Sequence, residues 1–137
     1  MLETIFMCSF LHQKCVMPKM PEPKPYVEII DNYGNTQERE KYAQYAYELS
    51  DGDLDFVLTG YAESKFIKDA RGVNKGGTVD LGLYQINNYY HPYITNHPFY
   101  KENWKFQIRE ALRLYRGGTR FYGADVRSLY KNNLIIK

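Results

Sequence analysis

Glu63 and Asp80 are two carboxylic acids separated by a 17-residue step that is rich in glycine. Cleavage of a glycosidic bond needs an acid to protonate the departing oxygen, and a second carboxylate can support the positive charge that develops at the anomeric carbon. The segment from Ile67 to Val79 has no sustained apolar period, so it predicts a loop or a small β-excursion. We expect this excursion, with a short strand at Thr78–Gly82, to carry Asp80 across a cleft to face Glu63.

The stretch that begins at Glu63 and ends at Asn87 reads ESKFIKDARGVNKGGTVDLGLYQIN. It resembles the lysozyme superfamily, which includes animal lysozymes and bacterial lytic transglycosylases. Its first four residues match that superfamily's ES.F motif, whose Glu is the catalytic acid, and its last eight match DYG(I/L)xQIN. Between them, four residues fall where the superfamily has its A…N…GS loop: Ala70, Asn74, Gly77 and Thr78. The resemblance is close over these 25 residues and loose over much of the remaining chain.

This resemblance implies an α+β fold that is mostly α, a lysozyme-like fold in which the small β-excursion forms one wall of the cleft. The implied substrate is the β-1,4 bond between N-acetylmuramic acid and N-acetylglucosamine in peptidoglycan. Glu63 would be the general acid, and Asp80 the stabiliser or nucleophile. No cofactor and no metal are implied.

The resemblance also implies residues that bind the substrate, namely Ser64, Asn74, Tyr84, Gln85, Asn87 and Tyr115. Of these, Gln85 and Asn87 would position the sugar and brace the site. Tyr115 belongs to the run Tyr-Arg-Gly-Gly, which loosely resembles the YNxG element of transglycosylases, with Arg in place of Asn. Because Tyr115 also lies on the apolar face of a predicted helix, a core position is the alternative for it. Backbone capping is the alternative for Gln85 and Asn87.

Two other functions stay open on the same motif. In a lytic transglycosylase the 6-hydroxyl of the muramic acid attacks in place of water and leaves a 1,6-anhydro sugar. Members associated with secretion and conjugation machines keep an Asp at this place, whereas the 17-residue step equals that of animal lysozymes. A non-catalytic glycan-binding or virion structural domain is the third possibility. The expected partners are peptidoglycan strands and, beyond them, a secretion machine or phage virion.

Composition narrows the class of protein. A chain of 137 residues suits one main domain, and its net charge of +2 is not gathered into a basic block, so nucleic acid is not an expected partner. No apolar stretch is long enough to span a bilayer, so stable membrane insertion is not expected. The 14 tyrosines suit sugar surfaces, because each joins a flat apolar face to a hydroxyl. We expect an extracellular, periplasmic or virion-associated location.

Residues 1–25 are expected to be a disordered leader and proline-rich linker, and residues 26–137 the catalytic domain. Proline alternates with charge over 18–25, which predicts an extended segment that cannot join a core. The apolar part of 1–17 resembles a signal peptide poorly, because Glu3 stands where positive charge belongs. Cys8 and Cys15 both precede the domain, and they could form a disulfide with each other or remain free thiols. The domain therefore lacks the disulfides of secreted animal lysozymes, which favours a bacterial or phage-like member.

Four stretches carry apolar residues at the spacing of one helical face, and each predicts an amphipathic helix. The four sets are Tyr42, Tyr45, Ala46 and Leu49; Leu54, Val57, Leu58 and Tyr61; Trp104, Ile108, Ala111, Leu112 and Tyr115; and Tyr122, Val126, Leu129 and Tyr130. Asn35 is positioned to cap the first helix, with Glu38 completing a capping box. A short strand or extended arm is expected at Tyr26–Ile30. His91 and His97 lack partners at metal-ligand spacing and are expected in loops.

Overall fold

The computed structural model describes residues 25–137. In chain order the elements are β1 (Val27–Ile29), α1 (Thr36–Leu49), α2 (Leu54–Ser64), β2 (Arg71–Val73), β3 (Val79–Leu81), β4 (Ile86–Asn87), α3 (Pro92–Thr95), α4 (Trp104–Arg116), α5 (Tyr122–Val126), a 3-10 helix (Arg127–Asn133) and β5 (Leu134–Ile136). Helices with two small sheets confirm the α+β class. The predictions for residues 1–24, including Cys8 and Cys15, lie outside the described residues. Among residues 25–137, no helix combines the length and apolar character needed to cross a bilayer.

Helix α2 forms the centre of the domain. Asp53 caps its first turn, since its carboxylate accepts a hydrogen bond from the amide of Phe56 over 3.1 Å. The helix is buried along most of its length because α1, α5 and the 3-10 helix all pack on it. Gly60 permits the rings of Tyr84 and Phe66 to pack closely on α2, because a Cβ there would lie 2.6 Å from Cζ of Tyr84 and 2.8 Å from Cζ of Phe66. Close packing on all sides fixes α2, and Glu63 lies in its last turn.

A buried ion pair fixes the end of α2. Arg39 on α1 pairs with Asp31, and the hydroxyl of Tyr61 donates to the same carboxylate over 2.6 Å. The hydrogen bonds from Arg39 hold the pKa of Asp31 below its usual range. The Nε of Arg39 donates to the carbonyl oxygen of Lys65 over 2.8 Å, directly after the helix. This contact satisfies one of the carbonyls that a helix end leaves without an intrahelical donor.

The sheet β2-β3-β4 forms a three-stranded antiparallel wall beside α2. Asp80 lies opposite Gly72 on β2 and opposite Asn87 on β4. The strand predicted at Thr78–Gly82 is confirmed as β3. Behind the wall, the side chain of Gln107 on α4 accepts from the amide of Leu83 over 2.9 Å and donates to the carbonyl oxygen of Tyr100 over 2.9 Å. We name this sheet the β-wall.

Three of the predicted helical faces are found, and the fourth is wrong. The first three lie on α1, α2 and α4, although Leu54 is exposed. In the fourth, Tyr122 and Leu129 are 72% and 74% exposed, because α5 passes into a 3-10 helix at Arg127 and the period changes. The residue of α5 that is buried is Gly123.

The capping box at the start of α1 is also wrong. Asn35 does occupy the cap position, but its backbone is left-handed, with φ at 57°, and its side chain makes no capping hydrogen bond. Glu38 instead accepts a hydrogen bond from the hydroxyl of Tyr42, one turn further along α1. The extended arm at Tyr26–Ile30 is confirmed as β1, and its partner strand β5 was not predicted.

Candidate functional site

A cleft of about 670 Å³ lies between the end of α2 and the β-wall. Both carboxylic acids of the motif line it. One side comprises residues of the β-wall and the chain that follows it, namely Asn74, Thr78, Asp80, Gln85, Ile86, Asn87, Tyr90 and His91. The other side comprises Glu63, Leu114, Thr119, Arg120, Phe121 and Tyr122. The β-excursion therefore forms one side of a cleft, as the sequence predicted.

Glu63 is a half-buried carboxylic acid at the end of α2. Apolar side chains of Leu114, Phe121 and Ile86 line the cleft with it. Burial raises the pKa of Glu63 to about 7, and the negative charge of Asp80 adds to this effect. A hydrogen bond from the backbone amide of Gly123 acts in the opposite direction and lowers the pKa. Near neutral pH the carboxyl group is consequently divided between its acid and ionised forms.

Gly123 approaches Glu63 more closely than any other residue type could. Its amide nitrogen lies 3.1 Å from Oε2 of Glu63. A Cβ at this position would lie 2.6 Å from the carbonyl oxygen of Thr59 and 2.8 Å from Cγ of Glu63, both on α2. No side chain fits in that space, so α5 packs against α2 through a glycine. The pattern of apolar residues gave no sign of this contact, because glycine carries no hydropathic signal.

Asp80 is fixed by its neighbour on the β-wall. The side-chain amide of Asn87 donates to Oδ1 of Asp80 over 2.8 Å and to the hydroxyl of Thr78 over 3.2 Å. The hydrogen bond to Oδ1 restricts the rotation of the Asp80 side chain. Asp80 is therefore an oriented carboxylate that shares the cleft with the half-buried Glu63.

Gln85 and Asn74 brace the β-wall from within the cleft. Gln85 has a left-handed backbone, with φ at 50°, and its side-chain amide donates to the carbonyl oxygens of Ala70 and Gly82, each over 2.9 Å. Asn74 donates to the hydroxyl of Thr78 over 3.1 Å and closes the turn between β2 and β3. The bonds of the Gln85 amide fit the alternative of backbone capping. Asn87 also caps backbone, since its Oδ1 accepts from the amides of Tyr89 and Tyr90, but its side-chain amide binds Asp80 and Thr78.

Ser64 and Tyr84 are not among the residues that line the cleft, in contrast to the prediction that they bind substrate, whereas Tyr115 has the core position that was its alternative. Ser64 is buried and donates to the carbonyl oxygen of Leu83 over 2.6 Å, tying α2 to the β-wall. Tyr84 is fully buried, and its hydroxyl donates to the carbonyl oxygen of Phe56 over 2.9 Å. The ring of Tyr115 packs edge-on against Phe56, with centroids 5.2 Å apart. All three support the site from behind.

Several cleft residues were not predicted from the sequence. Tyr90 and Tyr122 are both 72% exposed and line opposite sides of the cleft. Arg120 lines it too, and pairs with Asp125 over 2.9 Å. His91, expected in a loop, occupies the cap position of α3. Burial and the charge of Arg113 lower its pKa. Across residues 25–137, no three metal-ligating side chains come together.

Comparison of the chain with models of known protein families, with curated proteins and with solved structures gave no match.

Proposed function

We propose that this protein is a glycosidase of lysozyme-like fold that cleaves the β-1,4 bond between N-acetylmuramic acid and N-acetylglucosamine in peptidoglycan. The observation that carries the proposal is the pair formed by Glu63 and Asp80. The first is a half-buried acid whose pKa is raised to about 7, and the second is a fixed carboxylate in the same cleft. An acid poised near the working pH beside an ionised partner is the arrangement that glycoside cleavage requires.

In the proposed reaction Glu63 donates its proton to the glycosidic oxygen as the bond to the anomeric carbon breaks. The sugar that remains develops positive charge, which Asp80 stabilises as an ion pair or by forming a covalent bond. The amide of Gly123 supports the negative charge left on Glu63. The ionised Glu63 then removes a proton from the water that completes hydrolysis, which restores its acid form.

The sides of the cleft suit a saccharide. Tyr90 and Tyr122 expose aromatic rings, to which the apolar face of a sugar can pack. Asn74 and Thr78 offer amide and hydroxyl groups, and Gln85 offers its side-chain carbonyl oxygen, for hydrogen bonds with sugar hydroxyls and acetamido groups. Flat apolar surface combined with neutral polar groups matches an acetylated amino-sugar polymer.

A lytic transglycosylase is the second candidate. The observation that favours it is that one carboxyl group, Glu63, has an environment that raises its pKa by burial. A reaction assisted by the substrate's own acetamido group and 6-hydroxyl requires a single protein acid, and Asp80 would then serve only to orient the sugar. The two candidates share the acid and differ in the acceptor. A non-catalytic glycan-binding domain is the third candidate and would leave peptidoglycan intact.

Digestion of purified peptidoglycan tests the proposal. The full chain is incubated with peptidoglycan sacculi near pH 6, and the soluble products are identified by mass spectrometry. Muropeptides with free reducing ends support the hydrolase, and 1,6-anhydro-muramyl products support the transglycosylase. Sacculi that bind the protein but release no fragments would contradict both enzymatic candidates.

A further inference from the structure

The amide of Gly123 is held against Glu63 by a segment that is anchored on both sides. Phe121 is buried, and its ring packs on Tyr84 and Tyr115 with centroids 6.0 and 6.3 Å apart. Further along, Nη1 of Arg127 lies 3.4 Å from the hydroxyl oxygen of Thr59. The position of Gly123 is therefore set by contacts that do not involve Glu63.

The two oxygens of Glu63 have different surroundings. Oε2 accepts the hydrogen bond from Gly123 over 3.1 Å. Oε1 receives no hydrogen bond from any residue of the described chain, 25–137. Since no buried side-chain oxygen in that part of the chain lacks a partner, Oε1 is accessible from the cleft.

We propose that the backbone amide of Gly123 is a positioning group that keeps Oε2 as the unprotonated oxygen, so that Glu63 delivers its proton from Oε1. In a carboxylic acid one oxygen carries the proton and the other is a carbonyl-type acceptor. An N–H group that points at Oε2 selects the carbonyl role for that atom. The proton then resides on the oxygen that is open to the cleft.

The same hydrogen bond has a second effect after the proton leaves. The carboxylate that remains is partly removed from water, and this burial opposes the charged form. A charge-assisted hydrogen bond from Gly123 offsets part of that cost without any rearrangement, because the donor is already in place. Gly123 therefore keeps the acid from becoming too weak to give up its proton. The consequence for turnover rests on the proposed function, whereas the effect on Glu63 itself does not.

Other ionisable groups also share the cleft or the core with Glu63, and their effects must be separated from that of Gly123. They are Asp80 on β3, Tyr90 and His91 after β4, Arg120 before α5, Tyr122 on α5, and the buried phenol of Tyr84. Of these, Asp80 raises the pKa of Glu63. A test must consequently delete the N–H of Gly123 and leave all of these side chains unchanged.

Replacement of Gly123 by glycolic acid in the full chain makes that change, because an ester oxygen takes the place of the amide N–H. We expect the pKa of Glu63, followed by NMR of its side-chain carboxyl carbon, to rise by about one unit. For turnover of soluble glycan fragments, kcat should fall about tenfold with KM unchanged, and the alkaline limb of the pH profile should move upward. An unchanged pKa would overturn the proposal, even if activity fell.

Gly123→Ala provides a second variant, because its Cβ would push the amide away from α2. It should shift the pKa of Glu63 in the same direction as the ester. Gly34→Ala is the matched control, since no atom lies within 4 Å of a Cβ at that position, and it should leave the pKa unchanged. Should Gly123→Ala fail to fold, the ester variant decides. If the parent protein cleaves no glycan, the pKa measurement still decides the role of Gly123, and only the proposed function is lost.

Discussion

The side-chain amide of Asn87 lies 2.8 Å from Oδ1 of Asp80, with the two residues directly opposite each other on β4 and β3. The carbonyl oxygen of the same Asn87 side chain accepts from the amides of Tyr89 and Tyr90, over 2.9 and 3.1 Å. One side chain thus connects the second carboxylate of the cleft to the segment that presents the exposed ring of Tyr90.

Asn87→Ala should lower kcat on soluble glycan fragments by about tenfold, because it removes one charge-assisted hydrogen bond that orients Asp80. The fold should persist, since the β3–β4 backbone pairing remains. Asn132→Ala, at an exposed position of the 3-10 helix, is the matched control and should be neutral. Unchanged turnover in Asn87→Ala would show that the orientation of Asp80 does not limit the reaction.

Glu63→Gln should reduce peptidoglycan cleavage by at least about a hundredfold, because it keeps the shape of the side chain and removes the transferable proton. Release of soluble muropeptides measures the effect. Glu102→Gln, an exposed change beyond the cleft, should retain full activity. Residual activity of Glu63→Gln within about tenfold of the parent would remove Glu63 from the mechanism.

Glu63 should also make the protein less stable as the pH rises. Its pKa is raised from the ordinary 4.5 to about 7, so between these values the folded chain retains a proton that the unfolded chain has lost. The free energy of unfolding therefore falls as the pH rises from about 4.5 to about 7, by on the order of 3 kcal/mol in total from this group. Glu63→Gln should be more stable than the parent at pH 8, and the gain should shrink toward pH 4. Urea denaturation at both pH values measures it, and an equal difference at both would contradict the burial effect.

Asp80→Asn should distinguish the two enzymatic candidates. In a hydrolase the ionised carboxylate stabilises the anomeric centre, so we expect a loss of more than about a hundredfold. The parent should then release products with free reducing ends. Anhydro-muramyl products together with an Asp80→Asn variant that is nearly as fast as the parent would assign the protein to the transglycosylases. Circular dichroism of the variant checks that the fold is retained.

A chain that begins at Tyr26 should fold and show the activity of the full chain. Within residues 25–137, the core and the cleft consist of residues that follow this position. One edge of the first strand pairs with β5, and the other donates to Gln44 and Glu40 of α1. Cooperative thermal unfolding and the rate of muropeptide release measure the outcome. A molten or inactive protein, compared with an active full chain, would move the domain boundary toward the N-terminus.

The local parts of the fold could be predicted from the sequence, because their signals lie within a few residues. Apolar periodicity identified α1, α2 and α4, and the turn residues Ser50 to Asp53 separated the first two. The motif identified the cleft carboxylates and the strand that carries Asp80. It did not identify the supporting role of Ser64 and Tyr84, because burial depends on which elements pack over a residue and not on its type.

The remaining features depend on contacts between distant segments. Gly123 and Glu63 are 60 residues apart in the sequence and form a hydrogen bond. Only glycine fits at position 123, because a Cβ there would clash with α2. Tyr122 and Leu129 have helical spacing, yet α5 is too short and the 3-10 helix too tightly wound to bring them to one buried face. Neither the contact of Gly123 with Glu63 nor the exposure of Tyr122 and Leu129 can be read from the spacing of apolar residues in the sequence.

The pairing of β1 with β5 has a consequence for how the chain folds while it is being translated. Next to this pairing, Asn133 and Ile30 form a hydrogen bond across 103 residues. The amides on the other edge of β1 have acceptors that are much closer in the sequence. Val27 and Ile29 donate to the side chains of Gln44 and Glu40 on α1, each over 2.8 Å. On a translating ribosome β1 can therefore dock on α1 early, but its second edge stays open until residues 134–136 emerge. A nascent chain stalled after α5 would carry both cleft carboxylates and still expose a free strand edge to neighbouring chains.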